Sequence, residues 1–110
     1  MKLPNADQAE IAPEKIKDYL LNAGHRRGGS KAMLLLTFGY RPEEWTRLAD
    51  DLRRDHLTAD VALQRDTEYG RRFEIIAPLT TPVGRSLVIR SIWQIDTGSR
   101  NPRLITIYPG

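Results

Sequence analysis

Phe73-Glu74-Ile75-Ile76-Ala77-Pro78-Leu79 and, after a short break, Leu87-Val88-Ile89-Arg90-Ser91-Ile92-Trp93-Gln94-Ile95 set the architecture of this chain. In the first segment Phe73, Ile75, Ala77 and Leu79 recur at every second position, with Arg72 and Glu74 between them. A period of two places alternate side chains on opposite faces of a strand. The second segment alternates Leu87, Ile89, Ser91, Trp93 and Ile95 with Val88, Arg90, Ile92 and Gln94, so it reads as a central strand partly covered on both faces. Thr80-Thr81-Pro82-Val83-Gly84 is the turn between them, and Tyr69-Gly70 marks the entry to the first. A loop over Asp96–Pro102 leads to a last strand, Arg103 to Tyr108, with Leu104, Thr106 and Tyr108 expected to face one way. Val61 and Leu63 suggest a further short strand ahead of these. Short connections between consecutive strands imply an antiparallel meander.

Upstream the period changes to that of a helix. Ile16, Tyr19, Leu20 and Ala23 fall at i, i+3, i+4 and i+7 of a helix from Pro13 to Ala23, which Gly24 ends. Ser30 is placed to cap a second helix carrying Ala32, Leu35 and Leu36, stopped by Gly39; a strand over Lys31–Thr37 is the alternative. Pro42 opens a third, running to Asp55, with Trp45, Leu48, Ala49 and Leu52 as its apolar stripe. The expected fold is α+β in a single domain over residues 1–110. Residues 1–57 are mainly helical, and 58–110 form an antiparallel sheet of about four strands packed on the helices.

Composition narrows the function. The chain has 110 residues, 40% hydrophobic and 28% charged, enough for one core. Without cysteine it can build neither disulfides nor thiolate metal sites. Its two histidines, His25 and His56, lack metal-ligand spacing, so no metal and no cofactor is expected. No apolar run approaches a membrane span, and the N-terminus lacks the apolar core of a secretory signal; a cytoplasmic location is expected. The formal charge of +3 is unevenly spread. Residues 1–68 carry 11 Lys/Arg against 12 Asp/Glu, whereas residues 69–110 carry six arginines against two acids. Arginine suits bidentate phosphate recognition, although arginines are also ordinary solvated strand-face residues.

The motif with most chemical content is His25-Arg26-Arg27-Gly28-Gly29-Ser30-Lys31. It gathers cations and backbone N–H groups between two helices, as a phosphate site requires. Its glycine–lysine spacing is not that of a nucleotide-triphosphate loop. His25 is the candidate for proton transfer near neutrality, the alternative being a surface histidine in a basic loop. His56 reads as a partner of the third helix's C-terminal dipole. Lys31, Arg90 and Thr106 complete a candidate catalytic set; Arg26, Arg27, Arg72, Arg103 and Tyr108 are candidate substrate-binding residues. Arg90 interrupts an apolar strand, so it either pairs with an acid such as Glu74 or points into an open sheet face with Arg72, Gln94 and Arg103.

Across nearly its full length the chain resembles an uncharacterised bacterial family of small toxin-associated domains. The shared features are Lys2-Leu3-Pro4-Asn5-Ala6, Lys15 to Asn22 (KIKDYLLN), His25 with Gly28 and Lys31-Ala32, Tyr69-Gly70, Pro78-Leu79, Gly84-Arg85, Trp93, and Pro102-Arg103-Leu104-Ile105-Thr106. In architecture it resembles, more distantly, the barnase–EndoU–colicin–RelE superfamily of ribonuclease toxins. That resemblance implies a metal-independent endoribonuclease acting as the toxin of a toxin–antitoxin or polymorphic toxin system. RNA would be its substrate and an acidic antitoxin or immunity protein its partner. The chain departs from better-characterised members in having no second histidine placed as the acid and no obvious glutamate base. A non-catalytic module that binds a protein partner is the alternative, and a structural domain a third. Pairing through the edge strand Ile105–Tyr108 would give a homodimer.

Overall fold

A computed structural model of the chain describes residues 1–22, 24 and 29–109. Helices precede a four-stranded antiparallel sheet, so the α+β architecture stands as expected. The sheet is a meander in the order β1 (Leu63–Thr67), β2 (Gly70–Thr80), β3 (Ser86–Asp96), β4 (Arg103–Pro109). Phe73, Ile75, Ala77 and Leu79 of β2 pair with Trp93, Ser91, Ile89 and Leu87 of β3, which puts all of these on one face. On that face they pack with Ile16, Leu20, Leu35, Leu48 and Leu52 from the helical half into one core. Burying such side chains is the main source of stability, at ~1.5–3 kcal/mol for each large apolar group.

The helices differ from expectation in detail. Lys15–Leu20 is a π-helical turn, in which the Leu21 N–H donates to the Ile16 carbonyl five residues back at 2.8 Å. Ile16 and Leu20 of this turn and Leu21 just after it are all buried. Helix α1 (Gly29–Thr37) settles the helix-or-strand ambiguity of the second element. Helix α2 (Trp45–Asp55) follows a short 3₁₀ turn at Pro42–Glu44 and buries Leu48, Ala49 and Leu52, as its stripe predicts.

Two strand expectations are corrected. The first strand is Leu63–Thr67, beginning where Val61–Leu63 was expected to end. It is a polar edge strand held by its backbone pairing to β2, and such a strand carries no apolar alternation to read. In β4, Trp93 pairs with Leu104 but Ile92 pairs with Thr106, so Ile105 is the extra residue of a bulge. Leu104 therefore faces the core, while Thr106 and Tyr108 face the opposite side, together with Ile92 and Arg90. The three do not share a face. The beginning of the β4 edge is already occupied: Glu10 N–H donates to the Pro102 carbonyl, and Leu104 N–H to the Glu10 carbonyl.

Gly70 shows how tightly the meander is drawn. Its φ is +144°, and a Cβ there would lie 2.2 Å from the Ile95 carbonyl oxygen. Only glycine closes the Thr67–Gly70 hairpin against β3.

Behind the sheet, His56 caps α2 and its ring is fully buried. Nε2 lies 3.0 Å from the Ala77 carbonyl, an acceptor only, so Nε2 carries the proton. Nδ1 then accepts from Ser91 Oγ at 2.7 Å, and Ser91 Oγ accepts from Trp93 Nε1 at 2.8 Å. Burial pushes the imidazole below its ordinary pKa. His56 is therefore a neutral pin between α2 and the sheet, and the expected charge–dipole role gives way to this one.

Candidate functional site

The sheet face turned away from the helices holds a cleft of about 380 Å³. Period-two alternation builds it: Arg72 and Glu74 come from β2, Arg90 and Ile92 from β3, Thr106 and Tyr108 from β4 after the bulge, and Arg65 from the edge strand. Among the described residues its lining has three arginines and one carboxylate. Arg90 NH1 donates to Glu74 Oε1 at 2.8 Å, and Glu74 is nine-tenths buried. Arg90 thus pairs with Glu74, the first of its two sequence readings, and also lines the cleft with Arg72, without the Gln94 and Arg103 of the second.

Lys31 enters from outside the sheet. It stands in the first turn of α1, and its ammonium donates to Thr106 Oγ1 at 3.2 Å and to the Tyr19 hydroxyl at 3.5 Å. The same ammonium lies 4.0 Å from the centre of the Tyr108 ring and 5.5 Å from that of Tyr19. Ring faces attract a cation, which anchors the lysine at the β4 rim of the cleft. Its charge and those of Arg65, Arg72 and Arg90 outnumber the single negative charge of Glu74.

The candidates named from the sequence divide accordingly. Lys31, Arg72, Arg90, Thr106 and Tyr108 come together at the cleft and its rim. Arg103 lies beside it: Asp96 takes its guanidinium at 2.8 and 3.2 Å, and the cleft lining does not include it. That guanidinium, with the Gln94 amide, holds the Asp96 carboxyl below its usual range. His25, Arg26 and Arg27 lie outside the described residues. Two charged cleft residues, Glu74 and Arg65, are not among the sequence candidates. In the sequence Glu74 reads as a neighbour of Arg72 on the polar face and as a partner for Arg90. Arg65 gives no signal, because its strand is exposed and carries no apolar alternation. Among the described residues no cluster of three or more His, Cys, Asp or Glu could hold a metal, and no helix is long and apolar enough to cross a membrane.

An α+β domain with a cationic cleft on the uncovered face of an antiparallel sheet is the class that fold and site define. Residues 2–110 match the family described as "Domain of unknown function (DUF6883)", and the chain belongs to that family. No curated protein matches the chain in sequence. Among solved structures it is similar to a chain of a contact-dependent growth inhibition toxin–immunity protein complex from Klebsiella pneumoniae 342. The TM-score is 0.71 at 16% identity, covering 91% of this chain and 98% of the other. At that identity the likeness is one of fold.

Proposed function

We propose that this chain is the toxin domain of a bacterial toxin–immunity or toxin–antitoxin system, and that it cleaves RNA without a metal at the cleft on its open sheet face. The observation that carries this reading is the convergence of Arg72, Arg90, Thr106 and Tyr108 on one cleft that also holds a buried carboxylate, with Lys31 bonded to Thr106 at its rim. The fold neighbour's membership of a toxin–immunity complex supports the system.

RNA carries its own nucleophile. The 2′-oxygen attacks the adjacent phosphorus and gives up its proton to a base. A 2′,3′-cyclic phosphate forms, and the 5′-oxygen leaves with a proton from an acid. Glu74 is the carboxylate available as base, once an incoming phosphate competes for Arg90. His25 is the group suited to return the proton. Lys31, Arg90 and Arg72 offset the charge that builds on the phosphoryl oxygens, and Thr106 and Tyr108 donate hydrogen bonds to them. Neutralising a cleft this basic calls for an acidic immunity protein or antitoxin. The site of action is the cytoplasm, where the RNA is.

The test is incubation of the purified protein with total RNA in EDTA, beside His25→Ala, Glu74→Gln and Arg90→Ala. Cleavage by the wild type that is lost in the variants supports the reading. No cleavage by the wild type, in EDTA or with magnesium added, refutes it and leaves a protein-binding module.

A further inference from the structure

Arg65 and Arg72 stand directly opposite each other on β1 and β2, and both line the cleft. Like charges directly opposite across a strand pair destabilise a sheet. The other two arginines of this face each have an acid: Arg90 has Glu74 and Arg103 has Asp96. Among the described residues the Arg65–Arg72 pair meets no carboxylate. Arg72 donates through NH2 to the neutral Gln94 side chain at 3.0 Å, and its Nε is buried with no acceptor. The fold thus sets two arginines opposite each other at one end of the cleft, neither with an ion-pair partner among the described residues.

The spacing from the rest of the cleft is informative. Arg90 reaches back to Glu74, which lies two residues along β2 from Arg72. Two residues of strand span ~7 Å, the order of one nucleotide step along a sugar–phosphate chain. We propose that Arg65 and Arg72 form a second phosphate subsite, taking the backbone phosphate one nucleotide from the phosphate held by Lys31 and Arg90. The paired planar forks suit a phosphate's several oxygens. This subsite rests on the RNA reading of the cleft. It makes the ligand a chain with at least two successive phosphates rather than a single phosphodiester.

The probe is a short mixed-sequence 2′-O-methyl oligoribonucleotide with a 5′ fluorophore, which cannot be cleaved through its 2′-oxygen. Affinity is measured by anisotropy over a range of salt for wild type, Arg65→Gln, Arg72→Gln, Arg90→Gln and, as control, Arg85→Gln in the β2–β3 turn. Each lost phosphate contact lowers the slope of log K against log salt by ~0.7 for a single strand. The subsite predicts that drop in Arg65→Gln and in Arg72→Gln, with Arg85→Gln like wild type. Because Arg65 sits on an exposed edge strand, its variant keeps the fold, and thermal melting no lower than wild type verifies this. If the wild type binds and Arg90→Gln loses slope while Arg65→Gln and Arg72→Gln do not, the subsite is refuted and the RNA reading stands. If the wild type does not bind the oligonucleotide at low salt, both are refuted. Capture of poly-glutamate lost in Arg65→Gln would then assign the pair to an acidic protein partner.

Discussion

Lowering the pH from about 7.5 to 5.5 weakens this fold through one side chain, by up to about 1.4 kcal/mol. His56 is fully buried, donates to Ala77 and accepts from Ser91. A second proton would have to sit on Nδ1, where the Ser91 hydroxyl already donates, and would put a charge in the core. The native pKa is accordingly below the ordinary 6.5, with burial the leading cause. The unfolded chain titrates near 6.5. As the pH falls through 6.5 the unfolded state takes up the proton first, so stability is complete above 6.5. It declines down to the native pKa and no further. The slope approaches ~1.4 kcal/mol per pH unit for one proton. Asp55, Asp60 and Asp96 also have lowered values, but their contributions are lost only as the pH falls below the ordinary carboxyl range of ~4. The window above about pH 5 therefore isolates histidine. Urea denaturation at three pH values, in wild type and His56→Gln, separates His56 from His25. The variant should lose about 1–3 kcal/mol at neutral pH for its disturbed buried hydrogen bonds, and its stability should be flatter with pH. A variant that keeps the full wild-type pH dependence in this window would show that His56 is not the group responsible.

Tyr40→Phe removes a 2.6 Å hydrogen bond to buried Asp51, which keeps Arg47 and Arg54; a loss of about 1.5–3 kcal/mol is expected in urea melts. Burial and Asp51 also push the Tyr40 phenol up, so the wild type should lose stability as the pH rises past about 10, and Tyr40→Phe should lack that share. Gly70→Ala forces a Cβ onto the Ile95 carbonyl at 2.2 Å, and a loss of more than ~3 kcal/mol, or failure to fold by circular dichroism, is expected. Glu74→Gln frees Arg90 of its carboxylate, so binding of the uncleavable oligonucleotide should tighten while RNA cleavage falls; a parallel loss of both would contradict the base role given to Glu74.

The central strands were legible because their core-facing residues recur at every second position, even where β3 is also buried on its other face. Phe73 to Leu79 and Leu87 to Ile95 carry this period without a break, and it also placed Arg72, Glu74 and Arg90 on the polar face. Helix α2 was legible for the same reason at the helical period. Three features left no comparable trace. The π turn at Lys15–Leu20 depends on an i to i+5 bond, and a residue pattern of i, i+3, i+4 does not distinguish it from an α turn. Strand β1 is exposed on both sides, so only its pairing with β2 defines it. The bulge at Ile105 depends on how β3 and β4 meet, and one extra residue moved Leu104 to the face opposite Thr106 and Tyr108.

The bulge at Ile105 is part of why the cleft exists. Without the extra residue, unbroken alternation would turn Leu104, Thr106 and Tyr108 the same way. Either Leu104 would leave the core beside Trp93, or the two hydroxyls would leave the cleft. The bulge satisfies both ends of β4, and Lys31 can then reach Thr106 across the strand edge. On β3 the same economy operates residue by residue. Ser91 turns inward to the His56 pin, while its neighbours Arg90 and Ile92 turn outward to line the cleft. The buried polar pair behind the sheet thus fixes the register of the strand that presents the arginine. The core thus positions the face that carries Arg90 and Arg72, where the opposed Arg65 and Arg72 work against assembly.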